Sequence, residues 1–104
     1  MLVALRTWLF HPGRLHEFMA RYGSEGLPAL TRNGGALIGC YVSETGTLNE
    51  VVQLWRHDDA AAYERHGEAL AGDPDWQRFC SFALPLVQRH GERLLKPAPL
   101  TTSA

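Results

Sequence analysis

An α+β domain of order βαββαβ, four antiparallel strands with both helical layers on one face of the sheet, follows from three features of the sequence. Short period-two apolar runs over 3–9, 36–44 and 49–57 have the repeat of a strand. Longer runs at helical period lie between and after them, one from Arg14 and another from Asp58 or Asp59. Proline, glycine and asparagine punctuate the junctions.

In the first strand Val3, Leu5, Thr7 and Leu9 alternate with Ala4, Arg6 and Trp8. Pro12 and Gly13 end it. Leu15, Phe18, Met19 and Tyr22 then recur at helical spacing, with Pro12 expected in the first turn because its missing N–H has no helical partner to lose. Gly23, Gly26 and Pro28 interrupt this helix, so a kink or a short second helix over 27–32 is expected before Asn33, Gly34 and Gly35. The strands over 36–44 and 49–57 are rich in β-branched and aromatic residues and form a hairpin through Thr45, Gly46, Thr47 and Leu48. Asp58 or Asp59 caps a helix with Ala62, Tyr63, His66, Ala69 and Leu70 on one face. Asp73 and Pro74 start the next helix as N-cap and first residue, and Trp76, Phe79, Cys80, Ala83, Leu86 and Val87 keep its period. Pro85 is expected to bend it, Gly91 to stop it, and residues 92–96 to form a short final strand. One domain thus spans 1–97, and 98–104, with Pro99 and four small residues, reads as a C-terminal tail. This order is the ferredoxin-like pattern, in which right-handed crossovers make strands one and three the central pair.

The 104 residues are 45% apolar and 20% charged, enough for one core and too few for a second catalytic domain. Ten Lys and Arg against eleven Asp and Glu give a net charge of −1, without the basic excess that nucleic acid or an anionic membrane calls for. No run approaches the roughly 18–20 apolar residues of a membrane span. Residues 1–10 lack a basic n-region, so no signal peptide is expected. Cys40 and Cys80 fall in separate apolar patterns, as two buried free thiols of a reducing cytoplasm, with a single disulfide as the alternative.

If Val3, Leu5 and Leu9 face the helices with Val52 and Leu54, the opposite face of the sheet presents Arg6, Trp8, Val51, Gln53, Trp55 and His57, joined by Tyr41. Such a face needs a cover, either a second copy of the sheet, stacked RNA bases or a membrane. The strand over 49–57 lacks the basic-Gly-aromatic-Gly signature of RNA-binding sheets. A face-to-face homodimer is therefore favoured.

Leu5, Arg6, Thr7 and Trp8 before Pro12 and Gly13, the hairpin residues Gly39, Tyr41, Thr45, Gly46, Leu48 and Asn49, the strand Val52, Gln53, Leu54 and Trp55, and the segment Asp73, Pro74, Asp75 and Trp76 together resemble the NIPSNAP family, over about residues 2–99. The resemblance implies a ferredoxin-like protomer that pairs into a dimeric α/β barrel enclosing a lumen. It also implies His at the position of Gln53 in most members, so an imidazole role there lacks its residue. Bacterial members are mostly uncharacterised, and animal members are linked to mitochondria and to trafficking or signalling. Related barrels include cofactor-free antibiotic-biosynthesis monooxygenases and haem-binding proteins, a kinship of fold that does not determine chemistry.

The candidate ligand-binding residues of the lumen are Arg6, Trp8, Tyr41, Gln53, Trp55 and His57. Arg6 needs a carboxylate, a carbonyl or a bound anion, and is expected either to pair with Glu44, Glu50 or a partner-chain acid, or to hold a ligand between Trp8 and Trp55. The two tryptophans serve dimer packing or clamp a ligand. Gln53 and Tyr41 orient a polar group or satisfy each other. His57 with Asp58 and Asp59 could form an acid–base pair at the barrel mouth, although helix capping explains the aspartates. His66 is expected at the core edge, His16 and His90 in solvent, and His11 in a turn. No metal-ligand spacing, nucleophile elbow or phosphate-binding glycine loop occurs, so no metal, no cofactor and no catalytic residue is assigned. The expectation is a cytoplasmic homodimer that binds a small apolar or carbonyl-bearing molecule or serves as an interaction module. The alternative is a monooxygenase-like enzyme acting on an aromatic or polyketide-type substrate.

Overall fold

A computed structural model describes residues 1–100. The elements are β1 (Leu2–Phe10), α1 (Leu15–Arg21), a π-helical turn (Tyr22–Gly26), α2 (Leu27–Arg32), β2 (Ala36–Val42), β3 (Glu50–His57), α3 (Ala60–Ala71), α4 (Pro74–Ala83), a 3-10 turn (Leu84–Leu86) and β4 (Val87–Leu95). The antiparallel sheet has the order β2-β3-β1-β4, with β1 and β3 central. Part of the expected tail, residues 101–104, lies outside the described residues.

The helical junctions are made by side chains placed where the backbone lacks partners. Asp59 caps α3 by accepting from the Ala62 N–H at 2.7 Å, and Asp73 caps α4 by accepting from Asp75 and Trp76, with Pro74 at the first helical position. Asn33 and Arg32 also donate to Asp73, and these hydrogen bonds hold its carboxyl down at about 2. This one aspartate thus ties the end of α2 to the start of α4. The interruption expected near Gly23 is a π-helical turn that carries α1 directly into α2.

Three expectations are corrected. Pro12 lies in the turn before α1, which starts at Leu15 behind the N-cap Arg14. Pro85 ends α4 instead of bending it, because the missing N–H and the 3-10 turn break the ladder at Leu84. Gly91 does not stop a helix: it lies within β4, opposite Thr7, and β4 begins at Val87.

The largest correction concerns the faces of the sheet. Ala4, Trp8 and Phe10 of β1 and Val51, Gln53, Trp55 and His57 of β3 are the buried positions, under the helices, while Leu5, Thr7, Leu9, Val52 and Leu54 lie partly exposed on the opposite face. Both faces carry apolar residues at period two, so alternation alone does not choose between them. Ring size does: Phe18 of α1 contacts Trp8 at 5.2 Å and Phe10 at 4.4 Å between centroids, and Phe79 of α4 joins Phe18 and Tyr22. Rings of this size bury roughly 150–250 Å² each, more apolar area than the smaller aliphatic residues of the other face would remove from water.

The core is tight at the π-helical turn. An added Cβ at Gly26 would sit 2.9 Å from the Tyr22 ring and 3.0 Å from Phe79, whereas one at Gly23 meets nothing within 4 Å. Gly26→Ala is therefore expected to destabilise the fold by about 1–3 kcal/mol through overpacking. Gly23→Ala is expected to be neutral or stabilising by up to about 1 kcal/mol. Urea unfolding of the two variants separates these outcomes.

Candidate functional site

The register of the central strand sets Arg6 between Gln53 on β3 and Glu92 on β4. Arg6 Nε donates to Glu92 Oε2 at 2.6 Å, and Tyr63 of α3 donates its hydroxyl to Glu92 Oε1. The acid that Arg6 needs is thus a cross-strand neighbour on β4, and Glu44 and Glu50 do not take this role. Burial pushes the Glu92 carboxyl up, but the hydrogen bonds from Tyr63 and Arg6 and the guanidinium charge outweigh it and hold the group below its ordinary range. Tyr63 is pushed up, first by its bond to Glu92 and then by burial.

Gln53 is fully buried beneath the helices. Its Oε1 accepts from the Tyr22 hydroxyl at 3.0 Å and from Trp55 Nε1 at 3.2 Å, and its Nε2 reaches Cys40 Sγ at 3.9 Å. These partners are all protein groups, which makes Gln53 a core connector. Tyr41 is not among them: it pairs across from Val52 on the open face, its ring over Gly39, where an added Cβ would meet it at 2.7 Å. The bulge between Leu37 and Gly39 leaves Ile38 without a partner on β3.

His57 is buried, not at an open rim, and its ring lies 5.0 Å from His66 and edge-on to Tyr63 at 5.3 Å. His66 Nδ1 is 2.8 Å from the Asn33 carbonyl, so that nitrogen carries the proton and donates. Burial lowers both imidazoles, and the His66 and Arg6 charges lower His57 further. Asp59 is engaged in capping α3, where it accepts from the Ala62 N–H. His90, exposed as expected, nevertheless stacks on Trp8 at 5.5 Å.

A cavity of about 320 Å³ opens between the sheet and α4. Arg6, Thr7 and Trp8 of β1 and His90, Gly91 and Glu92 of β4 form one wall, and Trp76, Cys80, Ala83 and, just beyond α4, Leu84 form the other. Of the six candidates, the structure brings Arg6 and Trp8 to this cavity, puts Gln53, Trp55 and His57 elsewhere beneath the helices, and leaves Tyr41 on the opposite face. Glu92, Trp76, Cys80 and His90, the last expected in solvent, are among the lining residues that sequence reasoning missed. The helical period had placed Trp76 and Cys80 on the apolar face of α4, but the register of β4 that brings Glu92 beside Arg6 has no local signal. Among the described residues, no group of three or more His, Cys, Asp or Glu is placed to hold a metal ion, and both cysteines are free.

The NIPSNAP family model matches residues 3–102. The chain belongs to the NIPSNAP family. A NIPSNAP domain protein of Burkholderia xenovorans is 36% identical, with 99% of this chain and 100% of that one covered at a TM-score of 0.92. A NIPSNAP family protein of Agrobacterium tumefaciens is 28% identical, covering 96% and 95% at 0.87. No curated protein matches. A putative antibiotic biosynthesis monooxygenase of Nitrosomonas europaea, 8% identical over 93% and 98% of the two chains at 0.72, shares the fold alone. The solved NIPSNAP structures include one, from Agrobacterium tumefaciens, described as of unknown function, and what they share with this chain is a ferredoxin-like α+β fold.

In this NIPSNAP chain the two lowered imidazoles link stability to pH. Below the ordinary value of 6.5 the unfolded chain binds protons that His57 and His66 refuse in the fold. Their contribution is complete above that value and lost as the pH falls through it. Urea midpoints are thus expected to drop between pH 7.5 and 5.5, and His57→Phe to flatten that dependence. An unchanged slope in the variant would contradict the assignment for His57.

Proposed function

We propose that this protein is a homodimer formed through the uncovered sheet faces, each protomer binding a small apolar or carbonyl-bearing molecule in the cavity between β1, β4 and α4. The observation that carries the binding role is the cavity itself, mostly apolar, with the Arg6–Glu92 pair at its wall. Its 320 Å³ lies at the lower end of ligand pockets, roughly 300–1,000 Å³, which suits a molecule of one or two rings. The site expected in a lumen between two sheets moves inside the protomer, beneath α4.

Correcting the faces changes the residues that support pairing but not its need. Val3, Leu5, Leu9, Val52, Leu54 and Tyr41 share the open face by register, an apolar surface without a cover in one chain. Arg56, Arg89 and Arg93 are exposed on the same face, nearer its perimeter. A two-fold axis lets this patch cover itself. No helix among the described residues is long and apolar enough to cross a membrane, and the free thiols of Cys40 and Cys80 support a cytoplasmic location. A monooxygenase-like reaction calls for a base in the cavity; Glu92, with both oxygens engaged, is a poor one, which leaves that reading to the His90 imidazole stacked on Trp8 at the cavity wall.

Two measurements check these claims. Leu5 and Leu54 face each other across β1 and β3, and Leu54→Glu should convert a micromolar dimer to monomer in sedimentation while circular dichroism stays unchanged. A wild-type monomer would refute pairing. Cys80→Phe, which adds a ring at the cavity wall, should weaken binding of tetralin at least about tenfold in calorimetry, a loss of about 1.4 kcal/mol. Undiminished binding would place the ligand elsewhere.

A further inference from the structure

Resting on the cavity assignment above, we propose that the ligand is a ring compound bearing a carboxylate, and that the two Nη groups of Arg6 hold its two oxygens. Arg6 lines the cavity with a side chain that is 18% exposed. Its Nε is taken by Glu92, whereas neither Nη has a hydrogen-bond partner among the described residues and neither is shut off from water. A guanidinium is a planar fork of five N–H donors, and one bound through Nε alone keeps its outer edge, Nη1 with Nη2, for a second planar acceptor. A carboxylate matches that edge with two parallel hydrogen bonds, and a lone carbonyl oxygen does not.

The other polar groups of the wall leave the same demand. Alternation puts four side chains on the cavity side of the sheet, Arg6 opposite Glu92 and Trp8 opposite His90, with Thr7 and Gly91 directed to the other face between them. Glu92 is the one carboxylate among the lining residues, and both its oxygens already accept, from Arg6 and Tyr63. Burial pushes the Cys80 thiol up and so keeps it protonated, and the Trp76 indole N–H only donates. A ring nitrogen of neutral His90 is the single side-chain acceptor left. The wall therefore carries donors in excess, and the group that complements it is an acceptor.

Charge permits that acceptor to be an anion. Arg6 and Glu92 cancel, and His90, stacked on Trp8, carries either no charge or a positive one, so the wall is neutral or positive and never negative. Glu92 opposes a second carboxylate, but its oxygens are committed to Tyr63 and to the Nε side of Arg6, away from the Nη edge. The desolvation of the ligand's carboxylate is offset by two charge-assisted hydrogen bonds from one guanidinium that stands between the two anions. Trp76, Ala83 and Leu84 on the facing wall take the ring.

The test is calorimetry on the full chain with three probes, 1-naphthoate, 1-tetralone and tetralin. The expected result is that 1-naphthoate binds at least about tenfold tighter than either neutral probe and is displaced by excess tetralin, which places both in one cavity. Arg6→Lys, which keeps the charge and removes the fork, should cancel that preference while leaving tetralin binding within about twofold. If this variant does not fold, the wild-type ranking and the displacement by tetralin still decide the ligand class. A preference for 1-tetralone, or equal binding of all three probes, would overturn the carboxylate while leaving the cavity assignment standing. So would 1-naphthoate that tetralin does not displace. A preference that survives in Arg6→Lys would overturn the role of the Nη edge. Binding of none of the three at millimolar concentration would remove the cavity assignment and this proposal together.

Discussion

The rings of Phe18 and Phe79, packed down onto the sheet, are the contact on which the rest of the molecule depends. Phe18 touches Trp8, Phe10, Tyr22 and Phe79, and all five side chains are buried. Once these rings take the helix side, the alternation of β1 and β3 fixes the destination of every other residue of the two central strands. Arg6, Gln53 and His57 go under the helices with Trp8 and Trp55, although three of these five are polar or charged. Leu5, Leu9, Val52 and Leu54 are left outside, although they are hydrocarbon.

That assignment creates a polar layer in a place where each group must find a partner, and nearly every one does. Gln53 serves Tyr22 and Trp55, Arg6 and Tyr63 share Glu92, and His66 donates to Asn33. Buried polar groups satisfied in this way cost little, and the network holds α3, β1 and β4 in a single arrangement. The exception is the Trp8 N–H, the one buried side-chain donor or acceptor without a partner among the described residues.

The order of elements, the caps at Asp59 and Asp73, the break near Gly23 and the hairpin were legible because each rests on local chemistry: a period, a capping side chain or a glycine. The orientation of the sheet was not. Val3, Leu5 and Leu9 make as good an apolar face as Ala4, Trp8 and Phe10 when only polarity is compared, and what separates them is the volume of the rings that α1 and α4 bring, a tertiary property. The Arg6–Glu92 pair was hidden for a related reason. The final strand begins at Val87, where the apolar period of α4 continues through Leu86, so the sequence over 87–91 carries a helical signal that Pro85 overrides. The site was legible in part, through Arg6 and Trp8, whose chemistry asks for partners wherever they lie. Tyr41 shared only its aromatic character with them.

The sheet divides into an aromatic, polar face closed by the chain's own helices and an aliphatic face that we propose a second copy closes. An isotope-filtered nuclear Overhauser experiment on an equal mixture of ¹³C-labelled and unlabelled protein tests it directly. The account predicts contacts between chains from Leu5, Leu54 and Tyr41, and contacts only within a chain from Trp8 and Trp55. Contacts between chains from Trp8 or Trp55, or none from the aliphatic face, would contradict it.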